Sequence, residues 1–303
     1  MHQTWTLAAV SLRAAVDLAL VDRHGLRAVS PATARWFRNA ARRLTDHLDE
    51  DIPVHLLTPQ QVSNWLQSEH ARGLAAVSAN SNLRAIKTLY SRLERNGIVS
   101  SNPAAPVAPL PEPPPRPKAI SEPDYQAMRA AADNARDRAI VDVLWSSGCR
   151  LGGLVSMRVD RLEHWQQGGR DCYALLVVEK YSKPRWVYVG RHWLQSHGLR
   201  AWLDERPACG HRALFVTLDA PHGQLSPVAV QHVLRKLRTA AGIPPGRPTN
   251  AHAFRHAFAI RMLDEGHDLA AVSAWLGHAS PEFTAAVYVV RPESLLRQKY
   301  FMV

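Results

Sequence analysis

The sequence predicts a mainly α protein of two domains, a helical front domain followed by a larger α-dominated domain with a small antiparallel β-sheet. Three observations lead there. The run over residues 103–121, PAAPVAPLPEPPPRPKAIS, is so rich in proline that it excludes regular helix and favours an extended connector. On both sides of it, Ser or Thr stands just ahead of Pro at the start of stretches whose apolar residues recur at helical spacing. Only two short runs, both behind the connector, have strand composition. The expected boundaries are a front domain over 1–105, a linker over 106–118 and a second domain over 119–303.

The first element is an apolar run over residues 7–20. Arg13 and Asp17 interrupt it and no Lys or Arg precedes it, so it reads as a buried helix rather than a signal peptide or membrane span. Ser30 then caps a helix that Pro31 begins, with Phe37, Leu44 and Leu48 near one face and Arg35, Arg42 and Arg43 largely elsewhere. Thr58 and Pro59 start the next, which carries Val62, Trp65 and Leu66 at core-like spacing. A further helix over residues 79–95 lines up Leu83, Ile86, Tyr90 and Leu93 and leaves Arg84, Lys87 and Arg92 for solvent or phosphate; Gly97 stops it.

Behind the connector, Ser121, Glu122 and Pro123 open another helix, and residues 138–145 are apolar enough to pack in a larger core. Residues 173–178 and 186–189 suit strands and are joined by the polar turn YSKP, which predicts a short hairpin. Helices follow over 227–241, with Arg235, Lys236 and Arg238, and over 252–265, ended by Gly266. No repeat at a fixed period is evident, and only the proline run is of low complexity.

Composition narrows the partner. The 303 residues include 37 Lys and Arg against 26 Asp and Glu, a formal charge of +11. That surplus favours a polyanion, nucleic acid ahead of an anionic membrane surface. Cys149, Cys172 and Cys209 are too few and too far apart for a disulfide framework or a four-thiolate metal site, which fits a reducing compartment.

Four blocks carry the chemistry. They are SSGCRLGGL with Arg150, VVEKYSKPRWVYV with Lys180, HAFRHAFAIRML with His252 and Arg255, and WLGHASPEFTAAVYVV with His278 and Tyr288. In this order they resemble the tyrosine recombinase, or phage-integrase, family. The likeness extends to LYSRLERNGIVSSNP before the linker, to SEPDYQAMRAAA after it, and to LFVTLDAPHGQLSPVAVQHVLRKLRTAAGI, so it spans nearly the whole chain. It implies a helical core-binding domain ahead of a tyrosine-recombinase catalytic domain.

The residues suit that chemistry. A phosphodiester's charge hinders nucleophilic attack, and the transition state needs fixed donors around its non-bridging oxygens. Arg150 and Arg255 can give charge-assisted, bidentate contacts that a lysine cannot. The resemblance assigns the nucleophile to Tyr288, ten residues after His278, and implies a 3′-phosphotyrosyl linkage with release of a 5′-hydroxyl. It makes Lys180 the general acid for the departing 5′-oxygen, with Lys183 the nearby alternative. His252 can accept or return the tyrosine proton, and His278 adds a phosphate contact.

Rival readings accompany these assignments. Tyr173, Tyr181 and Tyr188 are weaker nucleophiles because they lie in or beside the hairpin, while Tyr288, among Val287, Val289 and Val290, can also serve as a core aromatic. His252 and His256 could share a metal, but AFR between them lacks the glutamate of zinc hydrolases and no ligand set completes the site. No metal and no cofactor is expected. Two departures from the family pattern stand out. Gly153 occupies the position, three residues after Arg150, where the family usually carries Glu or Asp to steady neighbouring groups. The spacing from His278 to Tyr288 is also one residue longer than in many relatives.

The resemblance implies double-stranded DNA with specific recombination sites as the partner, clamped by both domains. Arg35, Arg38, Arg84, Lys87, Lys183, Arg185, Arg235 and Lys236 are the candidate DNA contacts. It further implies a tetramer on two sites, exchange through a Holliday junction without ATP, and a tail, RPESLLRQKYFMV, whose Leu295, Leu296, Tyr300 and Phe301 can dock on a neighbour or on their own domain. An accessory protein that sets direction is a further candidate partner, and a cytoplasmic, nucleoid-associated location without membrane contact is expected. The alternatives are a DNA-binding regulator with weak or no cleavage and a type IB topoisomerase-like enzyme.

Overall fold

A computed structural model describes residues 10–20, 30–112, 118–179, 184–190 and 198–277. The chain divides into two units, Met1–Pro114 and Pro115–Val303. Each has its own apolar core.

The front unit contains four helices among its described residues: α1 (Leu12–Leu20), α2 (Pro31–Leu48), α3 (Pro59–Ala71) and α4 (Ala76–Arg95). α1 buries Leu12, Ala15, Val16 and Ala19, as expected of the apolar run. Both Pro-initiated starts form: the Ser30 side chain accepts from the Thr33 amide, and Thr58 and Gln61 make a reciprocal capping box. Leu83, Ile86, Tyr90 and Leu93 of α4 are buried together, and Gly97 follows its end at φ 69°.

The first part of the proline run packs against this unit. Ala104, Val107 and Leu110 are buried in the front core. Asn80 on α4 secures the segment, its amide donating to the Leu110 carbonyl at 2.9 Å and its oxygen accepting from the Leu110 amide at 2.8 Å. Proline forbids helix but not burial, and the side chains between the prolines supply the apolar surface.

The second unit is helical around one buried element. Its described helices are α5 (Glu122–Ala130), α6 (Ala135–Ser147), α7 (Leu151–Ser156), α8 (Gly198–Glu205), α9 (Pro227–Ala240), α10 (Ala251–Asp264) and α11 (Leu269–Leu276). α6 is buried on nearly every face, packed by α5, α8 and α10. Gly148 ends it at φ 57°, where the Phe258 ring lies 2.7 Å from the place a Cβ would take, so glycine is required on both counts.

Among the described residues the sheet has three antiparallel strands in the order β1 (Leu162–Gln167), β2 (Arg170–Val177), β3 (Arg185–Val189). The expected hairpin is the β2/β3 pair, with Tyr173 opposite Val189 and Val177 opposite Arg185. β1 is an addition. Its residues 163–167 are all exposed, so LEHWQQ lacks the apolar alternation that marks a half-buried strand, and Gly168 and Gly169, both at positive φ, turn it into β2.

Candidate active site

The site assembles where α6, α10 and α11 end or begin. Asn250 caps α10 by accepting from the Ala253 amide, which orients the first turn. His252, Arg255 and His256 then follow at spacings that place them on one side of the helix. His252 is exposed, whereas Arg255 and His256 are buried. The two imidazoles meet edge to face with ring centroids 4.3 Å apart. Burial pushes His256 down to about 4, and the neighbouring His252 and Arg255 add to that. His252 is lowered too, first by partial desolvation where its ring meets its neighbours and then by the Arg255 and Arg150 charges. A neutral His252 has the lone pair that a proton acceptor needs at neutral pH.

Three arginines converge on the C-terminal end of α11. Arg185 Nη1 donates to the Trp275 carbonyl at 2.7 Å, Arg255 Nη2 to the Leu276 carbonyl at 2.7 Å, and Arg150 Nη2 reaches the Gly277 carbonyl at 3.5 Å. Carbonyls at the end of a helix carry the negative end of its dipole, so guanidinium groups suit them. Arg255 Nη1 also donates to the Gly148 carbonyl at 3.0 Å, tying the end of α6 to the end of α11. Gly277 closes the helix at φ 66°, and a Cβ there would stand 2.5 Å from Arg185 Nε. The residue that follows is His278.

Arg150 is held from the other side by an acid that the sequence reading does not single out. The buried Glu179 carboxylate pairs with the Arg150 guanidinium, accepts from the Arg150 backbone amide at 3.1 Å and accepts from Arg185 Nη2 at 3.1 Å. The acid that the family usually carries at the position of Gly153 is absent here, and a carboxylate from just after β2 stands beside Arg150. The only sequence signal for it is a Glu directly before Lys180, and its partners sit on other elements. Cys149, next to Arg150, is fully buried with its thiol pushed up to about 11, which keeps it unreactive.

Arg150, Arg255 and His252 are thus brought together. Lys180, Lys183, His278 and Tyr288 lie outside the described residues, as does the tail. Arg185, which the basic turn assigns to phosphate, has its described contacts inside the protein and is 15% exposed. The other candidate DNA contacts are spread over helix surfaces. Arg35 and Arg84 are exposed, Arg38 pairs with Asp17 at 2.9 Å, and Lys87 donates to the Ala105 carbonyl at 3.1 Å. Arg235 contacts His232 at 2.8 Å and Lys236 pairs with Asp133 at 2.9 Å. Among the described residues no group of three His, Cys, Asp or Glu could hold a metal, and no helix is long and apolar enough to cross a membrane.

Comparison with known proteins gives a family, two relatives and two solved structures. A family model described as the phage integrase family matches residues 118–293. Tyrosine recombinase XerC of Xanthomonas axonopodis pv. citri is 29% identical over 267 residues, covering 86% of this chain and 84% of its own. Tyrosine recombinase XerD of Xanthomonas campestris pv. campestris is 32% identical over 238 residues, covering 73% of this chain and 71% of its own. Among solved structures, the integrase of transposon Tn1549 in complex with a circular intermediate DNA superposes with a TM-score of 0.72 at 13% identity, covering 97% of this chain and 99% of that one. A lambda integrase tetramer bound to a Holliday junction gives 0.69 at 17% identity, covering 93% and 78%. At such identities the superpositions show the fold.

Proposed function

The chain belongs to the phage integrase family, and from that membership we propose that it is a site-specific tyrosine recombinase, cutting and rejoining duplex DNA through a 3′-phosphotyrosyl intermediate and a Holliday junction. The observation that carries the reading is the convergence of Arg150 and Arg255 on the end of α11, one residue ahead of His278, with His252 one helical turn before Arg255 and lowered by both arginine charges.

In the proposed mechanism Arg150 and Arg255 hold the non-bridging oxygens of the scissile phosphate, helped by His278. Tyr288 attacks phosphorus and passes its proton to His252. The new bond joins the tyrosine oxygen to phosphorus, and the bond to the 5′-oxygen breaks as Lys180 protonates that leaving group. The phosphoester is conserved, so a 5′-hydroxyl from the partner duplex can reverse the step without ATP. Arg255 Nη1 and Nη2 are anchored on the Gly148 and Leu276 carbonyls, and a guanidinium fixed beforehand need not reorganise when its remaining donors turn to a phosphate.

We extend the proposal to the whole chain. The front unit serves as the second half of a DNA clamp, with Arg35, Arg38, Arg84 and Lys87 on phosphates, and Arg235 and Lys236 extend the contact from α9. Four copies assemble on two sites, and an accessory protein selects direction.

The test is covalent capture on labelled DNA from the gene's native surroundings, with a nicked suicide substrate that prevents religation. Wild-type protein should give a denaturation-resistant adduct that Tyr288→Phe lacks. Site-specific binding by a folded protein with no adduct would replace the reading with a DNA-binding regulator. Relaxation of supercoiled DNA that needs no partner site would favour a topoisomerase.

A further inference from the structure

We infer that Glu179 is the positioning residue for Arg150, supplying from the end of β2 the carboxylate that the helix position Gly153 lacks. The inference deepens the recombinase reading and rests on it.

Three contacts carry the inference. The Glu179 carboxylate pairs with the Arg150 guanidinium, and its Oε1 also accepts from the Arg150 backbone amide, so one carboxylate fixes both ends of that residue. Oε1 accepts from Arg185 Nη2 as well, and Arg185 in turn donates to the Trp275 carbonyl. Glu179 thereby links Arg150 to the α11 end along two routes, since Arg150 itself reaches Gly277. The carboxylate side chain is 3% exposed, and the Arg150 side chain 42% exposed, so the acid is enclosed while the guanidinium keeps an open face. That division suits an anchor beneath a ligand-binding arginine.

Gly153 leaves the room for it. A Cβ at Gly153 would lie 2.8 Å from Glu179 Oε1, 3.3 Å from its Cγ and 3.4 Å from Val177 Cβ. A side chain at 153 and the carboxylate of 179 therefore compete for one space. Residue 153 sits within α7 and needs no left-handed backbone, so a side chain is admissible there once Glu179 is withdrawn. An acid on α7 and an acid after β2 are then alternative ways to fill the same place beside Arg150, and this chain uses the second.

The experiment is a charge swap in the full chain, read by the rate of adduct formation on the nicked suicide substrate at saturating DNA, with DNA affinity and thermal unfolding measured alongside. Wild type and Tyr288→Phe come first; absence of a tyrosine-dependent adduct would sink the recombinase reading and this inference with it. Given that adduct, Glu179→Gln, which keeps shape but not charge, should slow cleavage by about tenfold or more while affinity changes by less than about threefold. Glu179→Gly and Gly153→Glu should each be slow, and the double variant Gly153→Glu with Glu179→Gly should recover most of the rate, a coupling that a general loss of folding would not produce. If Glu179→Gly does not fold, the Glu179→Gln rate decides alone. A Glu179→Gln protein that cleaves at the wild-type rate overturns the inference, as does a folded swap no faster than Glu179→Gly.

Discussion

Glu179 Oε1 stands 2.8 Å from the point where a Cβ on Gly153 would lie, while the adjacent Gly152 has nothing within 4 Å of its own. Two neighbouring glycines of one short helix therefore differ sharply in what a methyl group would meet. Replacing a helical glycine by alanine ordinarily stabilises by about 0.5–1 kcal/mol.

Gly152→Ala should show that gain, and Gly153→Ala should not. At 153 the methyl displaces a carboxylate pinned by Arg150 and Arg185, so the helical gain is offset by loosened ion pairs. Urea unfolding of the two variants is the check. Equal stabilisation would mean that Glu179 can move aside freely.

Arg185 offers a sharper distinction, between holding DNA and holding the site. Its guanidinium joins Glu179 to the Trp275 carbonyl, a forked arrangement that a lysine cannot reproduce. Arg185→Lys should slow cleavage at saturating DNA by about tenfold and leave the salt dependence of binding unchanged. A direct phosphate contact would behave differently, with weaker binding across sequences and a salt slope reduced by about one when the charge itself is removed in Arg185→Gln.

The α11 end makes a related prediction. Gly277 combines φ 66° with an approach of 2.5 Å between its would-be Cβ and Arg185 Nε. Gly277→Ala should cost about 1–2 kcal/mol from the left-handed backbone alone, and more from displacing the arginine. Thermal unfolding and adduct formation should fall together, because the three carbonyls that Arg150, Arg185 and Arg255 share belong to this turn. Retained stability with retained cleavage would show that the turn can rearrange.

Acid should weaken the second unit through His256. Its folded value is about 4 against an ordinary 6.5, so between those limits the unfolded chain binds the extra proton. Stability from this group is intact above about pH 6.5 and declines as the pH falls toward 4, by up to about 3 kcal/mol over the window. Urea titrations at pH 7 and pH 4.5 should show a larger loss for wild type than for His256→Gln. Equal losses would place the acid sensitivity elsewhere.

What could be read from the sequence follows the range of each interaction. The starts at Pro31, Pro59, Glu122 and Pro227 were legible because Ser30, Thr58, Ser121 and Ser226 satisfy amides only three residues away. Arg150, His252 and Arg255 could be singled out because the blocks that hold them resemble the family's, and the structure places Arg150 and Arg255 at one helix end with His252 on the same helix as Arg255. β1 was not, since an exposed polar strand lacks an apolar pattern. Glu179 was hidden for a different reason: its partner Arg150 lies 29 positions earlier, on another element, and only the fold shows that Gly153 vacates the space between them.

The burial of Leu110 within the proline run was equally hidden, and it yields the last prediction. Asn80 makes three hydrogen bonds to this segment: to the Leu110 carbonyl at 2.9 Å, from its amide at 2.8 Å, and to Glu112 Oε1 at 2.6 Å. Asn80→Ala leaves both polar backbone groups of Leu110 without these partners, at a cost of about 2–3 kcal/mol. The cost need not fall on the whole front unit, because the segment follows α4 and can detach while α1 to α4 stay packed. Hydrogen exchange in the full chain separates the two outcomes. The Leu110 amide should lose protection in Asn80→Ala while the amides of α4 keep theirs. If α4 loses protection to the same degree, the segment is an integral part of the front core and cannot act as a separable start to the connector.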